Sequence, residues 1–170
     1  MPRITKPISD ALNEQINREL ESGYVYLAMS AWADRENLPG AAGWLRIQWE
    51  EEIQHATKLI DYVAERGGTV DLKAITKPRA RYKDLLDVFR QALKTEEAGT
   101  AAINAIYGKV SRARDYATQA LLDWYVSEQV EEEKAPAEII AMLVMAGDHP
   151  PGLLMVDQHL GERSRPAPGA

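Results

Sequence analysis

The segment "WLRIQWEEEIQHATKLIDYV", residues 44–63, has the pattern of an amphipathic helix interrupted by polar groups. Its apolar residues recur at helical spacing, at Leu45, Trp49, Leu59 and Val63. Glu52 and His55 fall on the same stripe, halfway along it. A stripe of this kind faces a protein core, so the sequence predicts a helix that points a carboxylate and an imidazole inward.

The composition of the chain excludes several classes of function. The 170 residues predict one domain, and the net charge of −6 argues against nucleic acid as a partner. The absence of cysteine excludes disulfides, iron–sulfur clusters and thiolate zinc sites. The opening segment "MPRITKPISD" lacks the apolar run of a signal peptide, and no apolar stretch approaches the ~20 residues of a membrane span. We therefore expect a cytoplasmic protein with no membrane partner.

Helix-forming residues dominate the rest of the chain, which predicts an all-α protein. Five helical segments are expected, with Ser9 as the N-cap of the first, at about 9–36, 41–66, 82–110, 115–145 and 152–160. The connection after Gly67 and Gly68 has ~16 residues and could extend about 50 Å, whereas a helix of ~27 residues is about 40 Å long. It can return along the whole bundle, which predicts a ferritin-like four-helix bundle with one long crossover and a short fifth helix. We expect residues 1–161 to form the domain and residues 162–170 a flexible tail.

Each long helix carries polar residues near its middle, on an otherwise apolar stripe. These residues are Glu19, Glu52 with His55, Glu96, and Gln129 with Glu132. Antiparallel packing would bring all six to one layer of the bundle. A single Glu on a predicted helix is usually a solvated surface residue, and runs such as "EEE" at 50–52 and 131–133 are usually exposed. Four carboxylates buried together, however, require cations to neutralise them.

A pair of metal ions would meet this requirement. Oxygen-rich sites with one imidazole suit iron or manganese better than soft metals. Glu52 and His55 are spaced i, i+3 and share one helix face, as in the Glu-x-x-His element of di-iron carboxylate bundles. The sequence therefore predicts a two-metal site inside the bundle.

Three segments resemble the ferroxidase-centre blocks of the non-haem ferritins of bacteria and archaea: "LNEQINREL" at 12–20, "WEEEIQHA" at 49–56 and "WYVSEQVEEEK" at 124–134. The resemblance covers roughly residues 8–161. It implies that Glu19, Glu52 and His55 bind one iron. It also implies that Glu52 bridges to a second iron held by Glu96 and Glu132, with Gln129 beside that iron near where oxygen binds.

Further site residues follow from the same resemblance. A third, nearby iron site would be formed by Glu51, Glu128, Glu131 and Glu132. Tyr26 matches a family tyrosine that can supply an electron, and Trp124 matches an aromatic residue with a similar proposed role. For both aromatics, plain core packing is an equally good interpretation. Haem is not expected, because Ile53 stands where bacterioferritins have their methionine haem ligand and the fourth helix has no second Glu-x-x-His.

Two positions depart from the patterns of relatives or of regular helices. Gln119 and Leu122 stand where animal ferritins place acidic residues along their three-fold pore, which puts that iron entry route in doubt. Pro136 lies inside the fourth helix and cannot donate a hydrogen bond to the carbonyl of Glu132, which predicts a bend within one turn of Pro136.

The resemblance implies an iron-storage protein with ferroxidase activity, which uses O2 or H2O2 to oxidise Fe(II) and stores ferric mineral in a hollow shell of 24 subunits. Apolar residues at Leu38, Trp44 and Tyr82 could mark subunit contacts or belong to the core. The fifth helix, with Leu153, Leu154 and Met155, fits the family's element at the four-fold axis. Two alternatives stay open: a di-iron or manganese oxidase without a storage role, and a helical scaffold with solvated Glu clusters.

Overall fold

The structure is a computed structural model that describes residues 3–163. Within that range the chain forms helices only, at α1 (Lys6–Arg35), α2 (Pro39–Glu65), α3 (Leu85–Ala113), α4 (Tyr116–Ala146) and α5 (Pro150–Gly161). A long connection, residues 66–84, joins α2 to α3, so the predicted all-α bundle with one crossover and a short fifth helix is confirmed. None of the helices in the described part of the chain is long and apolar enough to cross a membrane.

Two helices begin a few residues away from the positions that the sequence predicted. Asp84 accepts a hydrogen bond from the Asp87 backbone N–H (2.8 Å), so α3 begins at Leu85 rather than near Tyr82. The prediction of Ser9 as the N-cap of α1 is wrong. Thr5 holds that position without a side-chain hydrogen bond, because Pro7 in the first turn already has a backbone angle suited to a helix start.

The crossover is fastened to α1 by two asparagine side chains. Asn13 donates to the Thr69 carbonyl (2.9 Å) and accepts from the Asp71 N–H (2.7 Å). Asn17, one turn later, bonds the Asp71 carbonyl (2.8 Å) and the Lys73 N–H (2.7 Å) in the same way. These bonds satisfy backbone groups that a non-helical segment otherwise leaves to water.

The far end of the crossover packs against the other end of α1. The ring of Tyr82 meets the ring of Trp32 edge-on, with centroids 5.7 Å apart. The crossover therefore travels the length of α1, from the neighbourhood of Asn13 to that of Trp32, which makes α2 and α3 parallel.

Two apolar clusters fill the bundle, one towards each end. The first contains the second half of α1 and the first half of α2, together with α5, and includes Met29, Leu45 and Phe89. The second contains the opposite halves and includes Ile16 and Leu59. Each long helix passes from one cluster to the other, and a polar layer lies between them.

The short helix α5 docks on the start of α2. The Asp157 carboxylate accepts from the backbone N–H groups of Gly40 (3.2 Å) and Ala41 (2.8 Å), so it caps α2 from outside the helix. Gly40 is required for this contact, because a Cβ at that position would lie 1.7 Å from the Asp157 carbonyl oxygen.

Trp44 and Tyr82 are buried in the core of the chain itself, and Leu38 is partly buried against the same cluster. Of the two interpretations of Trp44 and Tyr82, subunit contact or core, the structure supports the core, because the chain itself covers both. On α5, Leu154 and Met155 are exposed. Helix α4 continues without interruption through Pro136, which is buried, and the bend expected there stays a prediction.

Candidate metal centre

Six polar side chains from the four long helices form the layer between the apolar clusters. All are between 2 and 8% exposed: Glu19, Glu52, His55, Glu96, Gln129 and Glu132. Apolar core residues of the four helices lie on either side of the layer, towards the two ends of the bundle, and close it on both sides. The carboxylates are thus taken out of water, at a cost that only counter-charges or protons can offset.

Two groups of potential ligand atoms share His55. In the first, atoms of Glu19, Glu52 and His55 lie within 4.8 Å of one another. In the second, His55 is grouped in the same way with Glu128 and Glu132. The first group is the set that the sequence assigned to one ion. The nearness of Glu128 to His55 was not predicted, since it depends on the rotation of α4 relative to α2.

Burial raises the pKa of every carboxyl group in the layer. It raises the pKa of Glu96 to about 8, with the charge of Glu132 adding to the effect, and that of Glu132 to about 7. For Glu52 the pKa lies well above its ordinary value, because burial is joined by the charges of Glu19 and Glu96. Each shift means that the site favours a neutral state, which protons or bound cations can supply.

One oxygen in the centre has no protein partner. Among the residues that the structure describes, the buried Oε2 of Glu52 makes no hydrogen bond. It lies 3.9 Å from Nδ1 of His55, too far for a hydrogen bond. A buried carboxylate oxygen without a hydrogen bond, beside an imidazole, fits the role of a metal ligand.

His55 is kept neutral at physiological pH. Burial, with the charge of Lys58 as a smaller cause, lowers its pKa to about 4. Its backbone carbonyl accepts a hydrogen bond from the Tyr125 hydroxyl (2.7 Å), and its ring meets that of Trp124 edge-on at 5.3 Å. A neutral imidazole held in this way is the form that binds a metal ion.

Amide and phenol groups donate hydrogen bonds to three of the carboxylates and so fix their orientation. Gln15 donates to Glu19 (2.8 Å) and Gln48 donates to Glu132 (2.7 Å). The Tyr26 hydroxyl donates to Glu96. Neither glutamine was predicted from the sequence, although each stands four residues before a stripe Glu, on the same helix face.

Gln129 lies at the edge of the layer, with its amide nitrogen already engaged. This nitrogen donates to the Glu96 backbone carbonyl (3.2 Å) and to the Thr100 hydroxyl (3.1 Å). Gly99 leaves room for it, since a Cβ there would lie 3.1 Å from that nitrogen. The interactions leave the amide oxygen of Gln129 as its group for a metal or a bound molecule.

The four residues expected to form a third site have different surroundings. Glu132 is buried and Glu128 is half-buried, whereas Glu131 is exposed on the outer side of α4. Glu51 is half-buried, and its carboxylate accepts a charged hydrogen bond from Arg163 (2.7 Å).

The indole of Trp124 lies next to His55, and a cation lies over the face of its ring. The ammonium of Lys58 lies 3.4 Å from the centroid of the ring, a close cation–π contact. Trp124 itself is at the edge of the bundle, 36% exposed. It therefore does not serve plain core packing.

Comparison with known proteins agrees with this arrangement. The family model for the ferritin-like domain matches residues 9–144. The bacterial non-heme ferritin of Campylobacter jejuni is 38% identical over 157 residues, which cover 92% of this chain and 94% of that protein. The bacterial non-heme ferritin of Escherichia coli is 38% identical over 151 residues, which cover 89% of this chain and 92% of that protein.

Solved structures give the same result. An open-pore ferritin of the archaeon Archaeoglobus fulgidus superposes with a TM-score of 0.93 at 38% identity, covering 95% of this chain and 99% of that one. Fold, sequence and a buried layer of carboxylates around one histidine agree. The chain belongs to the ferritin family, as a relative of the bacterial and archaeal non-haem ferritins with a ferroxidase-like carboxylate and histidine cluster.

Proposed function

We propose that the protein oxidises Fe(II) inside each subunit and stores the ferric product. The observation that carries the proposal is the closed polar layer, in which four carboxyl groups with raised pKa values lie together with a neutral His55. Such a layer is unfavourable when empty and favourable around divalent or trivalent ions. The donor set, rich in oxygen with one nitrogen, suits iron.

The residues divide between two Fe(II) ions, which are the substrate. Glu19, Glu52 and His55 would hold the first ion, with the free oxygen of Glu52 available to bridge to the second. Glu96 and Glu132 would hold the second. Four carboxylates favour Fe(III) over Fe(II), because the additional positive charge interacts more strongly with them.

The reaction balances with either oxidant. Two Fe(II) ions lose one electron each, and O2 takes up these two electrons and two protons to give H2O2. With H2O2 as the oxidant, two electrons and two protons give two molecules of water. Gln129, at the edge of the layer, would orient the oxidant through its amide oxygen, since its nitrogen is bonded to Thr100 and the Glu96 carbonyl.

Tyr26 is placed to supply a further electron. Its hydroxyl donates to Glu96 and is fully buried, which keeps its pKa well above the ordinary value. If the phenol gives up an electron to the oxidant, its proton can pass to the Glu96 carboxylate along the existing hydrogen bond. Tyr26 would thus act as an electron and proton donor beside the second ion.

Storage requires a shell and a route for the product. We propose a hollow assembly of 24 subunits in the cytoplasm, in line with the ferritin family. A third ion near Glu51, Glu128, Glu131 and Glu132 would lie between the two-ion centre and the surface of the helix bundle. Because Gln119 and Leu122 are uncharged and Leu122 is buried, iron entry past these two positions is not favoured.

Aerobic addition of Fe(II) to the purified protein, followed by size determination, tests the proposal. We expect oxidation at the centre, about two Fe(II) per chain in the first phase, and a particle of shell size that retains ferric mineral. Glu52→Gln should slow oxidation at least ~100-fold, since charge neutralisation at a shared ligand affects both ions. Glu65→Gln, an exposed position on the same helix, is the matched control.

Two results would contradict the proposal in different ways. Oxidation by a protein that remains a monomer or dimer would favour an oxidase without storage. Equal oxidation rates for Glu52→Gln and Glu65→Gln would remove the centre from the reaction altogether and leave a helical scaffold.

A further inference from the structure

Arg163, just after the end of α5, folds back onto α2 and reaches the edge of the metal centre. Its guanidinium lies 4.6 Å from the ring centroid of Trp44, 2.5 Å from the Gln48 side-chain oxygen and 2.7 Å from a Glu51 carboxylate oxygen. These three residues are spaced i, i+4 and i+7, so they line one face of α2. The guanidinium thus stacks on an aromatic ring, donates to a neutral amide and pairs with a carboxylate. Such a combination is typical of an arginine with a fixed position rather than of a solvated cation.

The charge pair between Arg163 and Glu51 is largely removed from solvent. The side chains are 27% and 15% exposed, respectively. Burial raises the pKa of Glu51, and the guanidinium opposes that rise, while the charge of Glu128 adds to it. Arg163 therefore supplies positive charge to a Glu51 carboxylate that is also affected by the charge of Glu128.

The same guanidinium also acts on Glu132, a residue of the centre. Gln48 is 1% exposed, accepts from Arg163 through its oxygen and donates to Glu132 through its nitrogen. The arginine thereby fixes which way the Gln48 amide points, since a reversed amide would set two donors against each other. Arg163 also lowers the pKa of Glu132, against the larger effect of burial.

We propose that the guanidinium of Arg163 competes with iron for Glu51. It thereby determines how tightly a third ion binds between the two-ion centre and the surface of the helix bundle. This inference rests on the proposed function, because it concerns iron bound next to the two-ion site. A fixed guanidinium and a divalent ion cannot both neutralise one half-buried carboxylate at full strength. In this chain, the cation that pairs with Glu51 is a side chain of the protein itself, Arg163.

Arg163 is a positioning residue for Glu132 as well. When an ion binds Glu51, the attraction between Glu51 and the guanidinium weakens, and with it the hold of Arg163 on the Gln48 amide. Binding at Glu51 is therefore coupled to the hydrogen bond that holds Glu132.

Anaerobic calorimetric titration of the assembled protein with Co(II), a redox-stable substitute for Fe(II), tests the inference. We expect two tight ions per chain in every variant and a weaker third ion in the wild type. Arg163→Ala should tighten the third ion about tenfold, since the competing charge is gone. Arg163→Lys, which keeps the charge, should return the affinity most of the way to that of the wild type.

A double variant and a remote arginine complete the design. In Arg163→Ala with Glu51→Gln the gain should disappear, because the carboxylate for which the two cations compete is absent. Arg112→Ala, at the exposed C-terminal end of α3, should behave as the wild type and controls for the loss of one positive charge.

The outcomes separate this inference from the proposed function. Two tight ions in all variants, with a third-ion affinity that Arg163→Ala changes by less than about twofold, would overturn the inference and leave the function in place. A gain that persists without the Glu51 carboxylate would overturn it as well. The absence of two tight ions in the wild type would overturn both.

Discussion

At the scale of single residues, the centre is a balance between a carboxylate that is costly to bury and an ion that makes the burial favourable. Glu52 illustrates it best, because one of its oxygens makes no hydrogen bond to the part of the chain that the structure describes, and the acidic groups Glu19 and Glu96 act on it. Its inward position could be predicted from sequence, since it interrupts an apolar stripe. The partners of Glu128 and Arg163 could not, because they depend on helix rotation and on where the chain goes after α5.

Glu52→Gln should make the metal-free protein more stable while it abolishes fast oxidation. The substitution keeps the shape of the side chain and removes the cost of burying a carboxyl group, which in the metal-free protein must either take up a proton against its ordinary pKa or carry a charge in a nearly dry site, so relief of a few kcal/mol is expected. Thermal unfolding of the metal-free protein measures it, and Glu65→Gln should leave the melting temperature unchanged. A melting temperature well below that of the wild type would show that the Glu52 charge is already compensated by the protein.

Tyr26→Phe should weaken the folded state without removing the ion site. Glu96 would lose the phenol donor and keep its burial, at a cost of about 1–3 kcal/mol. Denaturant unfolding of the metal-free protein reports that cost, and Tyr24→Phe, at a 45% exposed position, is the control. Co(II) binding at the two tight positions should persist. If stability stays at the wild-type value, the hydrogen bond to Glu96 contributes nothing.

At the scale of helices, the order and type of the elements followed from the sequence, while their ends and fastenings did not. Stripe spacing located all five helices to within a few residues. The start of a helix differed from the prediction where an Asp side chain caps the helix, as at Asp84, or where a proline lies in its first turn, as at Pro7. The path of the crossover was predicted from its length alone, whereas the two asparagines that hold it needed the helix α1 in place.

The cap that α5 supplies to α2 leads to a prediction at this scale. Asp157→Ala would leave the N–H groups of Gly40 and Ala41 without acceptors, at a cost of about 1–2 kcal/mol. Amide hydrogen exchange at the start of α2 and thermal unfolding measure the effect. Asp157→Asn keeps one acceptor oxygen and should lose less. Wild-type stability and exchange in Asp157→Ala would mean that the packing of α5, rather than the cap, holds the two helices together.

At the scale of the whole molecule, two apolar clusters enclose one polar layer, so the layer's protonation affects the stability of the entire chain. The raised pKa values of Glu96 (about 8) and Glu132 (about 7) mean that the folded state holds these protons more tightly than the unfolded state. Their contribution to stability is present below the ordinary value of 4.5 and is lost as the pH rises through 7 to 8. His55, with a pKa lowered from 6.5 to about 4, has the opposite effect, and only below pH 6.5.

The metal-free protein should therefore lose stability between about pH 6.5 and pH 8, a window in which the carboxyl groups titrate and His55 does not. Melting temperatures measured across this range test the sign. The same series with saturating Co(II) should be flat or rise with pH, because deprotonated ligands bind the ion more tightly. A metal-free protein that becomes more stable from pH 6.5 to pH 8 would contradict the assignment.

The ammonium of Lys58, seated on the indole of Trp124, bears on which aromatic ring can be oxidised. Removing an electron leaves the indole ring with a positive charge. A fixed cation 3.4 Å from the centre of the ring repels that charge, so oxidation of the indole is less favourable. Among residues 3–163 no cation lies against the ring of Tyr26, and its phenol has an acidic neighbour to take the proton. Reducing equivalents should consequently come from the phenol, while the indole, shielded by its lysine, stays intact through repeated turnovers.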